Sequence, residues 1–330
     1  MASLKDRSGY EDICSKNNPA DIAIVGAGPA GLTATIYALR DNKNVILFDK
    51  DEIGGQILNS PKVTNIPGFA EISGFDFIEN VKEQIESIES GALVFLNEEV
   101  IDIVRHAEIK GDIVHSWFEI NTLTNTYYSR SIIAATGSKY RTLGVLGEEE
   151  LIGEGISFCS TCDAPFYKDK IVAVIGGGNS ALTEALEISK FAKCIYVLQD
   201  LPYLTAEKSL QDAIMSDPKI IVWTNIRVKK FLKERGQISI AFYEKVEGNP
   251  EGSISVDGVF EAIGMIPQNK CFRHIADLTG PNNDDGYILK MNEGAIGAGD
   301  CVQKQTRQVV TACGDGASAA VTLCRELENK

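Results

Sequence analysis

Asp21-Ile22-Ala23-Ile24-Val25-Gly26-Ala27-Gly28-Pro29-Ala30-Gly31 reads as a buried strand running into a glycine turn and then a helix. The apolar run to Val25 is uninterrupted, as in a parallel strand covered on both faces. Gly26-x-Gly28-x-x-Gly31 lets the chain turn tightly, lets backbone approach a pyrophosphate, and lets the helix pack on the strand. The helix then points its free N–H groups and positive dipole end at the phosphates. A helical stretch to about Arg40 and a second apolar run, Val45 to Phe48, complete a βαβ unit that closes on Asp49. That carboxylate follows Gly31 by 18 residues, near the spacing at which an acid accepts the ribose hydroxyls of an adenosine. A lone glycine fingerprint is compatible with a structural turn. Here strand, turn, helix, strand and acid fall in order, which is the dinucleotide reading.

The design recurs about 150 residues later. Ile171 to Ile175, then Gly176-Gly177-Gly178-Asn179-Ser180-Ala181, then a helix to about Phe191, then Cys194 to Leu198 repeat strand, turn, helix and strand. Parallel strands joined by crossover helices predict an α/β protein with two doubly wound, Rossmann-like three-layer nucleotide-binding domains. The length of 330 residues suits two such cores. Between the repeats, a helix is expected around Phe75 to Ser90, with strands near Leu93 to Leu96, Phe118 to Leu123 and Ile132 to Ala135.

Composition narrows the function. The chain is 44% hydrophobic and 24% charged, as globular proteins are. A net charge of −14 argues against nucleic acid as a partner. The first 20 residues carry Lys5, Asp6, Arg7, Glu11 and Asp12 and have no apolar segment, so they read as a polar extension, neither export signal nor membrane anchor. A cytoplasmic location is expected.

In such a compartment eight cysteines are not a disulfide framework, and any disulfide is usually catalytic. Cys14, Cys194, Cys271, Cys301, Cys313 and Cys324 stand apart from one another and read as isolated thiols. Cys159-Ser160-Thr161-Cys162 differs, because two intervening residues allow a small disulfide and lower the pKa of one thiol. The competing use, half a zinc site, needs a second ligand pair at matching spacing. His106, His115 and His274 are isolated, so no metal is expected and the pair reads as a redox dithiol.

Six ordered motifs carry a family likeness. Gly26 to Gly31, Gly54-Gly55-Gln56, Asn65-Ile66-Pro67-Gly68, Ala135-Thr136-Gly137, Cys159 to Asp163 and Gly299-Asp300 together resemble the low-molecular-weight thioredoxin reductase family over residues 20 to 327. The resemblance implies a FAD-binding domain from residues 21–141 and 256–330, with the second nucleotide domain, 142–255, inserted between its halves and carrying the dithiol. It implies FAD contacts at Gly26, Gly28, Pro29, Ala30, Gly31, Asp49, Lys50, Gly55, Gln56, Asn65, Ala135, Thr136, Gly137, Gly299, Asp300, Arg307, Gln308 and Val309. Gly299-Asp300 would meet the pyrophosphate and ribityl chain, and Arg307-Gln308 the isoalloxazine ring. An Asp after the strand-like Ala295 to Ala298 suits ribityl hydroxyls, and a following helix with Gly314 and Gly316 allows close approach to phosphate.

By the same resemblance Cys162 is the thiol beside the flavin, Cys159 attacks the partner's disulfide, and Asp163 moves the proton. The implied partner is a protein disulfide such as thioredoxin, the implied assembly a homodimer, and the implied device a rotation of the two domains. Arg141 to Gly147 and Gly252 to Gly258 read as hinge-like stretches. Ala164 departs from the family's usual Gly and adds a Cβ beside the redox pair.

The second domain departs more. NADPH-using members carry His-Arg-Arg and a further Arg after the strand that matches Ile195 to Leu198, to hold the 2′-phosphate. Here the aligned residues are Gln199, Asp200, Leu201 and Thr205. Replacing an Arg–phosphate fork by a carboxylate removes a charge-assisted bond and adds repulsion, so NADPH is a poor donor. Gly176, Gly178, Asn179, Ser180 and Ala181 keep the turn, with Asp200 expected on ribose hydroxyls as Asp49 is in the first domain; that suits NADH or the adenosine half of a second FAD. The stretch from Asp285 to Ala295 is shorter than in typical members, and Met265 to Asn269 follows their sequence only partly.

These changes point to the atypical, ferredoxin-linked or diflavin-linked branch. A ferredoxin near roughly −400 mV and thioredoxin near roughly −270 mV differ by about 130 mV, or about 6 kcal/mol for two electrons. An acidic ferredoxin would need a basic patch, for which Lys219, Arg227, Lys229, Lys230, Lys233 and Arg235 are the densest run. Two further alternatives stand: a reductase fed by NADH or NADPH, and a non-catalytic flavoprotein that senses redox state.

Overall fold

The computed structural model describes residues 14–110, 113–234, 236–244, 250–279 and 286–329. Residues 1–13 of the expected extension, Arg235 of the basic run and Asp285 lie outside the described residues. The chain divides into one unit of residues 1–139 and 266–330 and another of residues 140–265.

In the first unit, strands Ala20–Val25, Asn44–Phe48 and Ala92–Leu96 and the strand Thr126–Ala134 run parallel, with Ala20–Val25 paired to Asn44–Phe48 on one side and Thr126–Ala134 on the other. Side chains alternate across this sheet. Ile22 and Ile24 pack under the helices Pro29–Arg40 and Val309–Glu328, while Ala23 and Val25 face a second cluster with Phe48, Phe118 and Phe272. Strand Thr126–Ala134 is shared. Its first half pairs antiparallel with Ile113–Thr122, and its last residues pair parallel with Ala295–Gly297, bringing Gly299 to the edge where Gly26 and Ala135 lie. Helix Gly74–Glu86 starts on Ser73, whose hydroxyl accepts from the Asp76 N–H at 3.0 Å.

The expected polar extension is partly structured. Cys14 is buried in this unit's core, its carbonyl accepts from the Tyr128 N–H at 2.9 Å, and burial pushes its thiol up to about 11.

In the second unit, parallel strands run in the order Ile220–Trp223, Cys194–Leu198, Ile171–Ile175, Gly258–Glu261, Ile156–Ser157. Val172 and Val174 pack against helix Asn179–Ser189, and Ala173 and Ile175 against an antiparallel sheet of Ile226–Glu234, Gln237–Glu244 and Glu251–Val256. The return crossing corrects the expected boundary at 255/256. Gly258–Glu261 pairs with Ile171–Ile175 and so belongs to this sheet, which moves the boundary to 265/266. Within the expected hinge-like stretch Gly252 to Gly258, residues to Val256 lie in the ladder opposite Gln237–Glu244, and Gly258 opens the next strand after a bend at Asp257. The two crossing segments, Ser138–Tyr140 and Met265–Pro267, pair with each other.

Candidate active site

The first glycine turn is cut to glycine by its neighbours. Gly26 has φ +109°, and a Cβ there would strike the Ala135 carbonyl; a Cβ on Gly31 would strike the Gly26 carbonyl. Gly28 faces open space, its nearest neighbour for a Cβ being the Gly54 carbonyl oxygen at 3.9 Å. Helix Pro29–Arg40 begins on Gly28 without a side-chain cap, so its first turn is left to a ligand's acceptors. Gly54 N–H donates to the Ala27 carbonyl at 2.9 Å, which brings Gly54 and Gly55 against the turn.

Asp49 stands at the end of the second strand, where its Oδ2 accepts from the Ala27 N–H at 2.6 Å and Oδ1 from the Asp51 N–H at 2.9 Å. Burial raises its pKa against those backbone bonds. Lys50 is exposed and pairs with Glu99 at 3.1 Å. Gln56 donates to the Ser138 carbonyl, and Asn65 donates to Gln308 Oε1 at 3.0 Å. Thr136 donates to Asn269, whose fully buried amide donates on to the Gly286 and Cys301 carbonyls. Gly137 has φ +67° and open space beside it.

Two groups at the edge await a partner. Asp300 Oδ1 is buried and accepts no hydrogen bond among the described residues, though Lys304 Nζ lies 3.5 Å away. Burial raises the Asp300 pKa, opposed by Lys304 and Arg307. Arg307 Nε is buried without an acceptor, and its guanidinium lies 4.2 Å over the Tyr287 ring. Asp300 caps no long helix; Gln308 caps Val309–Glu328, in a capping box with Thr311. An open glycine cradle, an acid at the strand end and two orphaned buried polar atoms fit a flavin dinucleotide. Gly316 serves packing rather than phosphate approach, because a Cβ there would strike the Ala30 carbonyl.

Cys159 and Cys162 are joined as a disulfide, with Cα atoms 5.3 Å apart. Cys159 caps the short helix Ser160–Asp163, its sulfur accepting from the Cys162 N–H at 3.2 Å. Ser157 organises the pair: its hydroxyl accepts from the Cys159 N–H at 3.1 Å and donates to Asp163 Oδ2 at 2.5 Å. Burial raises the Asp163 pKa while the Ser157 bond opposes it. Ala164 is fully buried. The other six cysteines are free thiols.

Two acids missed in the sequence hold the residues between the sulfurs. Glu187 Oε2 accepts from the hydroxyls of Ser160 and Thr161 at 3.2 and 3.1 Å. Glu184 accepts from the Ser160 N–H, and burial, with Glu187 nearby, pushes it up to about 8. Both lie one turn apart on the helix of the second glycine turn; only their i, i+3 spacing hinted at a shared face.

The second turn repeats the first backbone with other side chains. Gly176 N–H donates to the Leu198 carbonyl at 2.9 Å as Gly26 N–H donates to Phe48 at 2.8 Å. These matched bonds equate Asp49 with Gln199 and Lys50 with Asp200. Gln199 therefore stands at the position of Asp49, and Asp200 one residue beyond it. Gln199 packs over Gly177 and donates to the Tyr203 carbonyl at 3.2 Å, while Asp200 forms a two-bond pair with Arg227. Gly178 stays open, with Thr205 Oγ1 at 3.6 Å from a Cβ, and Ser180 and Ala181 follow in the uncapped first turn; Asn179 exchanges hydrogen bonds with Glu207. A dinucleotide phosphate fits this helix start.

Four residues of the expected basic run have partners within this unit. Arg227 pairs with Asp200, Lys229 with Glu251 and Lys233 with Glu154, and Lys219 donates to the Ser189 carbonyl.

Two nucleotide folds, one with a sulfur pair held beside a half-buried acid, define a dinucleotide-dependent disulfide oxidoreductase. The family described as "Pyridine nucleotide-disulphide oxidoreductase" matches residues 20–316. The chain is 33% identical over 315 residues to a thioredoxin reductase of Bacillus subtilis, covering 93% of this chain and 95% of that one, and 36% identical to one of Treponema pallidum, covering 91% and 94%. The crystal structure of thioredoxin reductase from Streptococcus pyogenes superposes with a TM-score of 0.83 at 30% identity, over 94% of this chain and 99% of that one. The protein belongs to the thioredoxin reductase family and is a flavin-dependent disulfide oxidoreductase. Among the described residues no helix is long and apolar enough to cross a membrane.

Proposed function

We propose that this enzyme reduces a protein disulfide of the thioredoxin class through Cys159 and Cys162, drawing electrons from a donor other than NADPH. FAD is the group for the first turn: Gly26, Gly28, Pro29, Ala30 and Gly31 with Gly55 give the phosphates backbone, Asp49 takes adenosine ribose, and Asp300 and Arg307 supply a buried acceptor and a donor. Gln56, Asn65, Ala135, Thr136, Gly137, Gly299, Gln308 and Val309 line the same edge. Lys50, engaged with Glu99, takes at most a peripheral part. When bound, the flavin supplies two-electron reduction.

The sulfur chemistry balances within the chain. Two electrons enter the Cys159–Cys162 bond, which breaks, and two protons convert both sulfurs to thiols, one of them by way of Asp163. Cys159 loses its proton, attacks the partner's disulfide and forms a mixed disulfide, and that proton leaves on the first partner thiol. Cys162 then attacks Cys159, restores the internal bond and releases the second. The observation that carries this reading is the arrangement of Ser157, Asp163 and the disulfide on one short turn.

NADH at the second turn is the donor this geometry supports best, since the glycine turn and uncapped helix are kept, a carboxylate follows the second strand, and the family description is a pyridine-nucleotide one. The pairing of Lys229, Lys233 and Arg227 with carboxylates weakens the surface argument for ferredoxin. A homodimer in the cytoplasm completes the proposal. Anaerobic titration with NADH, NADPH and reduced ferredoxin, followed by flavin absorbance, tests it together with a count of flavin per chain. Bleaching by NADH with one flavin per chain supports the proposal. Rapid bleaching by NADPH, or bleaching by ferredoxin alone, overturns the donor assignment, and two flavins per chain would put the second at the second turn.

A further inference from the structure

One cation returns to the second turn from elsewhere in the sequence. Arg227 lies 27 residues from Asp200, and its Nε and Nη2 donate to Asp200 Oδ1 and Oδ2 at 3.3 and 2.9 Å. The pairing is fixed by backbone on both sides of Asp200. The Ile226 N–H donates to the Gln199 carbonyl at 2.9 Å, and the Asn225 N–H, from a residue with φ +59°, donates to Leu201 at 3.0 Å. Tyr243, the cross-strand partner of Arg227 in the antiparallel sheet, also hydrogen-bonds the guanidinium.

The place matters because dinucleotide folds read the 2′-substituent of the adenosine just beyond the end of the second strand, with an acid for the hydroxyl or an arginine for the phosphate. Asp200 stands there, one residue past the position equivalent to Asp49. A guanidinium fork matches carboxylate and phosphate with the same two-bond geometry. We propose that Asp200 and Arg227 together select the dinucleotide: the carboxylate occupies the fork, accepts from a 2′-hydroxyl and repels a 2′-phosphate, and Arg227 is a latent 2′-phosphate site once the carboxylate is neutralised. The proposal rests on the reading of the second turn as a dinucleotide site.

Calorimetric titration of the intact enzyme with 5′-AMP and with adenosine 2′,5′-bisphosphate, which differ only in the 2′-phosphate, tests it. The wild type should bind 5′-AMP more tightly than the bisphosphate, by about tenfold, the scale of one lost charge-assisted bond. Asp200→Asn should reverse that order, and Asp200→Asn combined with Arg227→Gln should lose the gained affinity while keeping 5′-AMP. Asp200→Ser repeats the measurement should the Asn variant melt early. Unchanged bisphosphate binding in both single variants, with 5′-AMP still bound, overturns the selector alone. Absence of binding by either nucleotide to every form overturns the second-turn reading along with it.

Discussion

The two glycine turns are built on one backbone and finished with different chemistry. Each begins with a positive-φ glycine, Gly26 or Gly176, held by the last carbonyl of its second strand. Position by position the side chains diverge: Gly31 corresponds to Ala181, Asp49 to Gln199, Lys50 to Asp200, and Ala134, paired to Val25, to Glu261, paired to Ile175. The backbone bonds survive every one of these exchanges. Hydrogen bonding and glycine conformation therefore set the fold, and a handful of strand-end side chains set what each copy can hold.

The largest expected effect tests the asymmetry that the second unit alone carries the sulfur pair. Cys159→Ser and Cys162→Ser should each lower disulfide reduction by more than about a thousandfold, with the flavin count unchanged. Flavin loss in either variant would mean that the two copies are not separable.

A smaller contrast concerns the third position of each turn. Gly31→Ala forces a Cβ onto the Gly26 carbonyl, so flavin should be released and the protein should melt several degrees earlier. Ala181→Gly in the other copy should cost only about 1 kcal/mol, the helix propensity of Ala over Gly, with flavin retained. Equal effects in flavin release would erase the distinction between the turns.

Glu261 sharpens the comparison further. Its side chain is buried against Glu148, which is held by the Leu143 and Val145 N–H groups, and burial pushes Glu261 up to about 9 from an ordinary 4.5. Between those values the unfolded chain has lost a proton that the folded chain keeps, so stability falls as pH rises through that window. Glu261→Gln should remove this dependence, and its melting-temperature advantage over wild type should grow from about pH 6 to about pH 8.5. A difference that stays flat with pH would show that Glu261 is ionised in the fold.

The smallest expected change is at the dithiol's supports. Glu187→Gln keeps an acceptor for Ser160 and Thr161 and should alter turnover by no more than about threefold. Glu187→Ala should do more, measured as kcat with the protein disulfide saturating.

Much of this was legible in the sequence because it is local. Uninterrupted apolar runs and ordered glycines announce both βαβ units, and two cysteines at fixed spacing announce the redox pair. What was hidden is set by register and by distant partners. Asp200 looked equivalent to Asp49 because one residue of offset is invisible until the Gly176 to Leu198 bond is seen. Arg227 was counted in a basic run because its partner lies on another element. Gly258–Glu261 was assigned to the first domain because a four-residue strand has no periodicity to read, and only its pairing with Ile171–Ile175 places it in the second sheet.

The paired crossings carry one more consequence. Arg141 N–H donates to the Gly264 carbonyl, and Gln268 N–H donates to Gly137, both at 3.0 Å, so the chain leaves and re-enters the outer fold at a single doorway. An insertion whose two ends meet can be lengthened, shortened or removed while the host keeps its own strand order.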